Sequence, residues 1–168
     1  EFLKMKKLNN KLDVMTQPLM SLALWLPRIA LGVAFFFHGY GKLPAPFMMV
    51  EQHRMVTWFE SEFLPLPELL VNMVILGEMA AGIGIILGGV VGIFSVNWGN
   101  LLTRLSGILV VIIMTCALYI AHSEWFTTLS TKFVTSEQMF LLVLGLFFAI
   151  CSKLLLARMT DERARRYP

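Results

Sequence analysis

Two stretches of this chain hold the residues that could do chemistry. The first is Arg28–Leu43, RIALGVAFFFHGYGKL, which opens on an arginine and closes on a His-Gly-Tyr-Gly-Lys cluster. The second is Val71–Leu87, VNMVILGEMAAGIGIIL, which carries one carboxylate, Glu78. Both are otherwise apolar enough for lipid, where a charge is costly and is usually paired or used. With α-helical rise, a span starting near residue 18 puts Arg28 roughly 15 Å deep, and one starting at Pro67 puts Glu78 roughly 16 Å deep from the other side. Arg28 and Glu78 are therefore expected to pair near the midplane. A start nearer Trp25 would separate the two levels. Such a pair either fixes helix register or serves a proton-coupled or ligand-binding step.

The second constellation is His38, Tyr40 and Lys42, with Glu68 at a similar level at the start of the next span. Residues four apart share a helix face, which groups His38 with Lys42. One reading is an interfacial anchor, with Tyr40 at the surface and Lys42 snorkelling. The other is a binding site for a polar head, such as a quinone carbonyl or an oxyanion. There His38 donates or relays a proton, Lys42 supplies positive charge, and Gly39 and Gly41 leave room for approach. His38, His53 and His122 are all expected at the outer side, but no pair has metal-ligand spacing, so no metal site is expected. No nucleotide loop, nucleophile elbow or Cys/His zinc pattern occurs.

The elements that must position these residues follow from hydropathy. The chain has 168 residues, 57% hydrophobic and only 15% charged, far less charged than a soluble domain. Apolar runs at Leu19–Phe37, Leu69–Leu87, Leu101–Ala121 and Met139–Leu156 each approach the length of about 20 residues needed to cross a bilayer. The expected fold is all-α: a polytopic membrane protein with a four-transmembrane-helix bundle over 18–156. Residues 1–17 form an amino-terminal cytoplasmic or interfacial segment, and 157–168 a basic cytoplasmic tail. No cleavable signal peptide is expected, and Met5 is a candidate native start. Lysines 4, 6, 7 and 11 and the basic carboxyl end put both termini in the cytoplasm by the positive-inside rule. The same basic tail marks topology and attraction to anionic lipid rather than nucleic acid. Cys116 and Cys151 fall inside spans without a CxxC pattern and read as packing residues.

Between the first two spans, Phe47–Phe63 reads as an amphipathic helix in the first outer loop. Phe47, Met48, Val50, Met55, Trp58, Phe59 and Phe63 supply its apolar side. It either lies on the outer leaflet or covers a pocket between spans. The second span is rich in glycine, which permits close helix packing. Its apolar stretch runs to Val96, longer than one crossing, so it is expected to tilt or break at Gly88-Gly89. Ser136-Glu137 is a plausible helix cap for the last span.

The motifs RIALG…HGYGKL and GEMAAGIGIILG together resemble the DoxX family of small four-helix membrane proteins. The family pattern falls on Arg28, Gly32, His38, Gly39, Lys42, Leu43, Glu78 and Gly82, with a T-R-L sequence at Thr103-Arg104-Leu105. The stretch Gly88–Asn100 before it looks longer than the family's tight turn. The resemblance covers about Trp25–Leu156. It implies membrane redox chemistry, since related proteins include a subunit of a thiosulfate:quinone oxidoreductase and partners of oxidative-stress enzymes. The implied role is a quinone-facing or membrane-anchoring subunit in a bacterial inner membrane, a component of an oxidoreductase rather than a complete enzyme. Quinone is the implied cofactor, and a protein carrying the redox centres the implied partner. The competing readings are a non-enzymatic accessory or assembly subunit of a larger complex, and a small transporter that works as a homo-oligomer.

Overall fold

The computed structural model describes residues 1–16, 19–48, 52–124 and 134–166, with their side chains except at 20, 21, 24 and beyond 154. The described residues are helical or in turns. The helices are α1 (Phe2–Thr16), α2 (Met20–Tyr40), α3 (Arg54–Ser61), α4 (Pro67–Phe94), α5 (Val96–Ala121) and α6 (Glu137–Arg166). Three of them, α4, α5 and the Glu137–Leu154 part of α6, are long and apolar enough to cross a membrane. Helix α2 has 21 residues and the same apolar character, and it packs lengthwise on α4. Helix α1 buries none of its residues.

The bundle follows chain order. α2 packs on α4, α4 on α5, α5 on α6, and α6 touches α2 and α4 more lightly. One core is shared by all four long helices, through Leu31 and Phe35, Ala81 and Ile85, Val110 and Met114, and Leu141 and Phe148. A second cluster joins Ala45, Val56 and Phe59 to Val71 and Ile75 at one end of α4. Lipid does not reward burial of leucine the way water does, so close backbone contact must hold such helices together. Glycine supplies it here. A Cβ on Gly82 would lie 2.5 Å from the Gly32 carbonyl oxygen and from the Phe36 nitrogen, and one on Gly39 would lie 2.6 Å from the Ile75 oxygen. These contacts set the antiparallel register of α2 against α4.

Gly88-Gly89 does not break α4, which runs unbroken for 28 residues to Phe94. Ser95 alone separates it from α5, as α4's last cap and α5's first. The two glycines instead let neighbours close in. A Cβ at 88 would meet the Thr103 hydroxyl, and one at 89 would lie 2.6 Å from Arg28 Cδ. Ser136 does cap α6, its hydroxyl accepting from the Met139 N–H at 3.2 Å.

The loop after α2 differs from a single helix over Phe47–Phe63. A short 3-10 turn, Pro46–Met48, precedes α3, and residues 49–51, with Val50 among them, lie outside the described residues. Phe47, Met48 and Phe63 are exposed, and Phe63 has a positive φ of 55°. Val56 and Phe59 are the residues α3 buries. The helical period set at Arg54 places these two inward and leaves the aromatic residues beyond its ends outside.

Candidate functional site

Arg28 and Glu78 are not partners. The glycine seam places Gly39 opposite Ile75 and Met79, so Glu78 lies level with the end of α2. Arg28 is eleven residues earlier, about 16 Å along the helix at ordinary rise. The equal-depth estimate failed because α4 meets α2 further along than symmetric starting points imply. Both side chains are nonetheless almost completely buried, at 1% exposure.

Arg28 is a four-helix junction. From α2 its Nη1 donates to the Ile85 carbonyl of α4 at 2.5 Å and to the Thr103 hydroxyl of α5 at 2.9 Å. Its guanidinium carbon lies 5.0 Å from the centre of the Phe148 ring of α6, a cation–π contact. Nε and Nη2 have no hydrogen-bond partner among the described residues. Gly89 and Trp25 pack tightly around the side chain, which leaves no room for a ligand beside Gly89.

The partner of Glu78 is Lys42. Its Nζ donates to both carboxylate oxygens at 2.5 Å, and the Glu78 side chain is 2% exposed against 27% for Lys42. Helix α2 ends at Tyr40, and Gly41 closes it with its N–H on the Phe37 carbonyl. Lys42 N then donates to the Gly39 carbonyl, which tightens the chain into a turn. Lys42 therefore leaves the helix, does not share a face with His38, and turns back along α4.

His38 reaches elsewhere. Its Nε2 lies 3.0 Å from Glu137 Oε1 at the start of α6, in an exposed position. Tyr40 is exposed and stacks on Phe36, with ring centres 6.0 Å apart. Glu68 is exposed in the first turn of α4. The cluster His38, Tyr40, Lys42 and Glu68 is thus not one site. Of the four, Lys42 lines the two cavities at this end and His38, Tyr40 and Glu68 do not; it brings Glu78 with it.

Two cavities meet at Lys42. The inner one has a volume of about 370 Å³ and lies between α3, α4 and α5. Its walls are almost wholly apolar, with Phe59, Leu70, Val74, Leu109 and Ile113 among them, and among the described residues its ionisable groups besides the Cys116 thiol are Lys42 and Glu78. The outer one, about 550 Å³, is lined by Gly41, Leu43, His53 and Arg54 together with Lys42, Met55 and Trp58. Lys42, Met55 and Trp58 belong to both and form the partition between them.

His53 holds the partition in place. Its Nδ1 accepts the Met55 N–H at 3.1 Å, capping α3, which leaves Nε2 to donate to the Lys42 carbonyl at 3.0 Å. Both ring nitrogens are used by this neutral tautomer. In sequence His53 stands out only as one of three histidines. Nothing there signals a cap, because histidine is not a usual N-cap residue. Cys116 and Cys151 are both free thiols, and Cys116 lines the inner cavity. Among the described residues no three His, Cys, Asp or Glu side chains gather as metal ligands do.

The DoxX family model matches residues 23–123. The chain belongs to the DoxX family. It is a membrane protein of that family, and the matched region contains Arg28, Lys42 and Glu78 with the elements that hold them. No curated protein and no solved structure matches the chain. Several positions that carry the DoxX pattern here serve the α2–α4 seam and its polar contacts, while His38 and Arg104 meet α6. Gly32, Gly39 and Gly82 set the approach of the backbones, Lys42 and Glu78 pair across it, and Thr103 receives Arg28. Arg104 of the same T-R-L sequence donates from Nε to the Ala149 carbonyl of α6 at 3.0 Å.

Proposed function

We propose that this DoxX protein is the quinone-facing membrane subunit of an oxidoreductase system, and that the quinone head sits in the inner cavity against Lys42. In this reading α2, α4, α5 and α6 all cross the inner membrane of a bacterium. Electrons come from a partner protein that carries the redox centres. The observation that carries the proposal is an apolar cavity of about 370 Å³ whose strong polar feature, among the described residues, is a bidentate Lys42–Glu78 pair. That volume lies within the usual range for small-molecule sites, about 300–1,000 Å³.

The pair selects the head. An ammonium beside a carboxylate is neutral as a unit, so an anionic head meets Glu78 and a cationic one meets Lys42. A neutral carbonyl suffers neither repulsion. Lysine has three N–H donors, and Glu78 takes two, which leaves one for a carbonyl oxygen. The apolar walls suit a ring and an isoprenoid tail.

The glycines of α4 also bear on the competing scaffold reading. A glycine stripe free on the surface would suit a partner helix. Here Gly82 meets α2, while Gly84 and Gly88 meet Ser106 and Thr103 of α5, so these glycines are spent within the chain.

The test is binding in lipid nanodiscs, using a variant in which Trp58 is the sole tryptophan. Decylubiquinone should quench Trp58 fluorescence along a saturable curve. Quenching that rises linearly with quinone, as for simple partition into lipid, would defeat the proposal.

A further inference from the structure

We infer that Lys42 is the proton donor to the bound quinone, reloaded from the outer cavity, with Glu78 as the fixed counter-charge. The inference rests on the quinone reading above and adds a route. Among the described residues Lys42 is the only side chain with a basic nitrogen that lines both cavities. Glu78 lines the inner cavity and not the outer one. A proton passing from the polar vestibule into the apolar pocket therefore meets Lys42 first.

Three histidines lie at this end, and none is placed to carry the proton; His122 follows the last turn of α5 but lines neither cavity. His53 has both ring nitrogens engaged, one by the Met55 N–H and one by the Lys42 carbonyl. His38 lies against Glu137 and lines neither cavity. Arg54 lines the vestibule only, and a guanidinium does not release its proton at working pH.

The step balances as follows. The partner's redox centre delivers two electrons to the quinone, whose carbonyl oxygens become basic. A Lys42 N–H bond breaks and a quinol O–H bond forms. Neutral Lys42 then takes a proton from vestibule water, and the second oxygen, across the ring and out of reach of the same Nζ, takes its proton from water. Each turnover thus consumes two electrons and two protons and yields one quinol. Glu78 holds the Lys42 Nζ at the partition through its two carboxylate oxygens.

Lys42→Arg separates this role from ion pairing. Arginine keeps the charge and can hold Glu78 bidentately, but it does not give up a proton. Nanodisc-embedded protein loaded with decylubiquinone is mixed with dithionite, and quinol formation is followed by ultraviolet absorbance. With K42R compared at saturating quinone, its own affinity first measured by Trp58 quenching, the bound quinone should form quinol about a hundredfold more slowly than in the unsubstituted chain, a usual share for a positioned general acid. The unsubstituted chain should also slow in heavy water. Full-rate quinol formation by K42R at saturating quinone would overturn the relay while leaving the quinone site standing. Equal rates of the unsubstituted chain in light and heavy water would overturn it too, whatever K42R does. Failure of the unsubstituted chain to bind quinone would overturn the underlying reading instead.

Discussion

Two buried ions, Arg28 and Glu78, decide most of what this chain can do, and they act apart. Glu78 is coupled to Lys42, so removing Lys42 leaves a carboxylate stranded in an apolar wall. Lys42→Met should cost about 3–5 kcal/mol, as for other broken buried pairs. Adding Glu78→Leu should recover much of that loss, read as folded yield after heating in detergent. A double variant no better than Lys42→Met would show that pairing does not hold the two charges there. Arg28 and Glu78, by contrast, should be independent. Sites more than about 7–10 Å apart with no shared partner combine additively to within about 0.5 kcal/mol. A cycle with Arg28→Met and Glu78→Gln should give that result, and a strong coupling would restore the direct pair. The identities of Arg28, Lys42 and Glu78 as the charged residues of interest were legible in the sequence, because ions stand out in apolar runs. Who pairs with whom was not legible. That depends on the register of two helices, and register is set by Gly32, Gly39 and Gly82, whose contacts only the fold reveals.

At the scale of elements, glycine contacts and one histidine cap fix the geometry around the site. Gly82→Ala forces a methyl against the backbone of α2 and should destabilise by about 1–3 kcal/mol or more, the usual cost of overpacking. Gly77→Ala meets only flexible side-chain ends, Ile113 Cδ1 at 3.1 Å and Leu109 Cδ1 at 3.8 Å. Alanine's helix preference, worth about 1 kcal/mol over glycine, should offset that contact. Thermal unfolding of the two variants should therefore diverge, and equal losses would count against the seam. At α3, His53→Ala removes the cap on Met55 and the bond to the Lys42 carbonyl. Loss of a cap costs about 0.5–2 kcal/mol. Hydrogen exchange should rise across Arg54–Ser61 and leave α4 and α5 unchanged; protection that stays intact in α3 would deny His53 this role. The long helices α2, α4, α5 and α6 were readable from apolar runs and proline positions, down to the Ser136 cap, while α1 was not, since residues 1–17 carry no apolar run. The continuity of α4 through Gly88-Gly89 was hidden, because the same dipeptide that can break a helix can also admit a neighbour. The loop helix was overextended for a similar reason: Phe47 and Phe63 are apolar, but neither faces the protein.

For the whole molecule, the proposed four crossings place Glu60 and Ser123 on one side of the membrane and Asn97 on the other. Single-cysteine variants at these positions, made without the native thiols, should label with an impermeant maleimide in that pattern. Co-labelling of Asn97 with Glu60 in sealed vesicles would end the four-span topology. Lys132, which the hydropathy pattern also assigns to the Glu60 side, lies outside the described residues. The membrane class and the family were legible because both rest on composition and short motifs. The cavity was not, since its lining comes from α3, α4 and α5 together and no single stretch announces it. The most direct test of the quinone site is photo-crosslinking with an azido-quinone in native membranes, followed by peptide mass mapping. Adducts should concentrate on Met55, Trp58 and Cys116, compete away with unlabelled quinone, and weaken in Glu78→Gln. Adducts spread evenly over the lipid-facing side chains of α5 and α6, and insensitive to competitor, would contradict a quinone site at Lys42–Glu78.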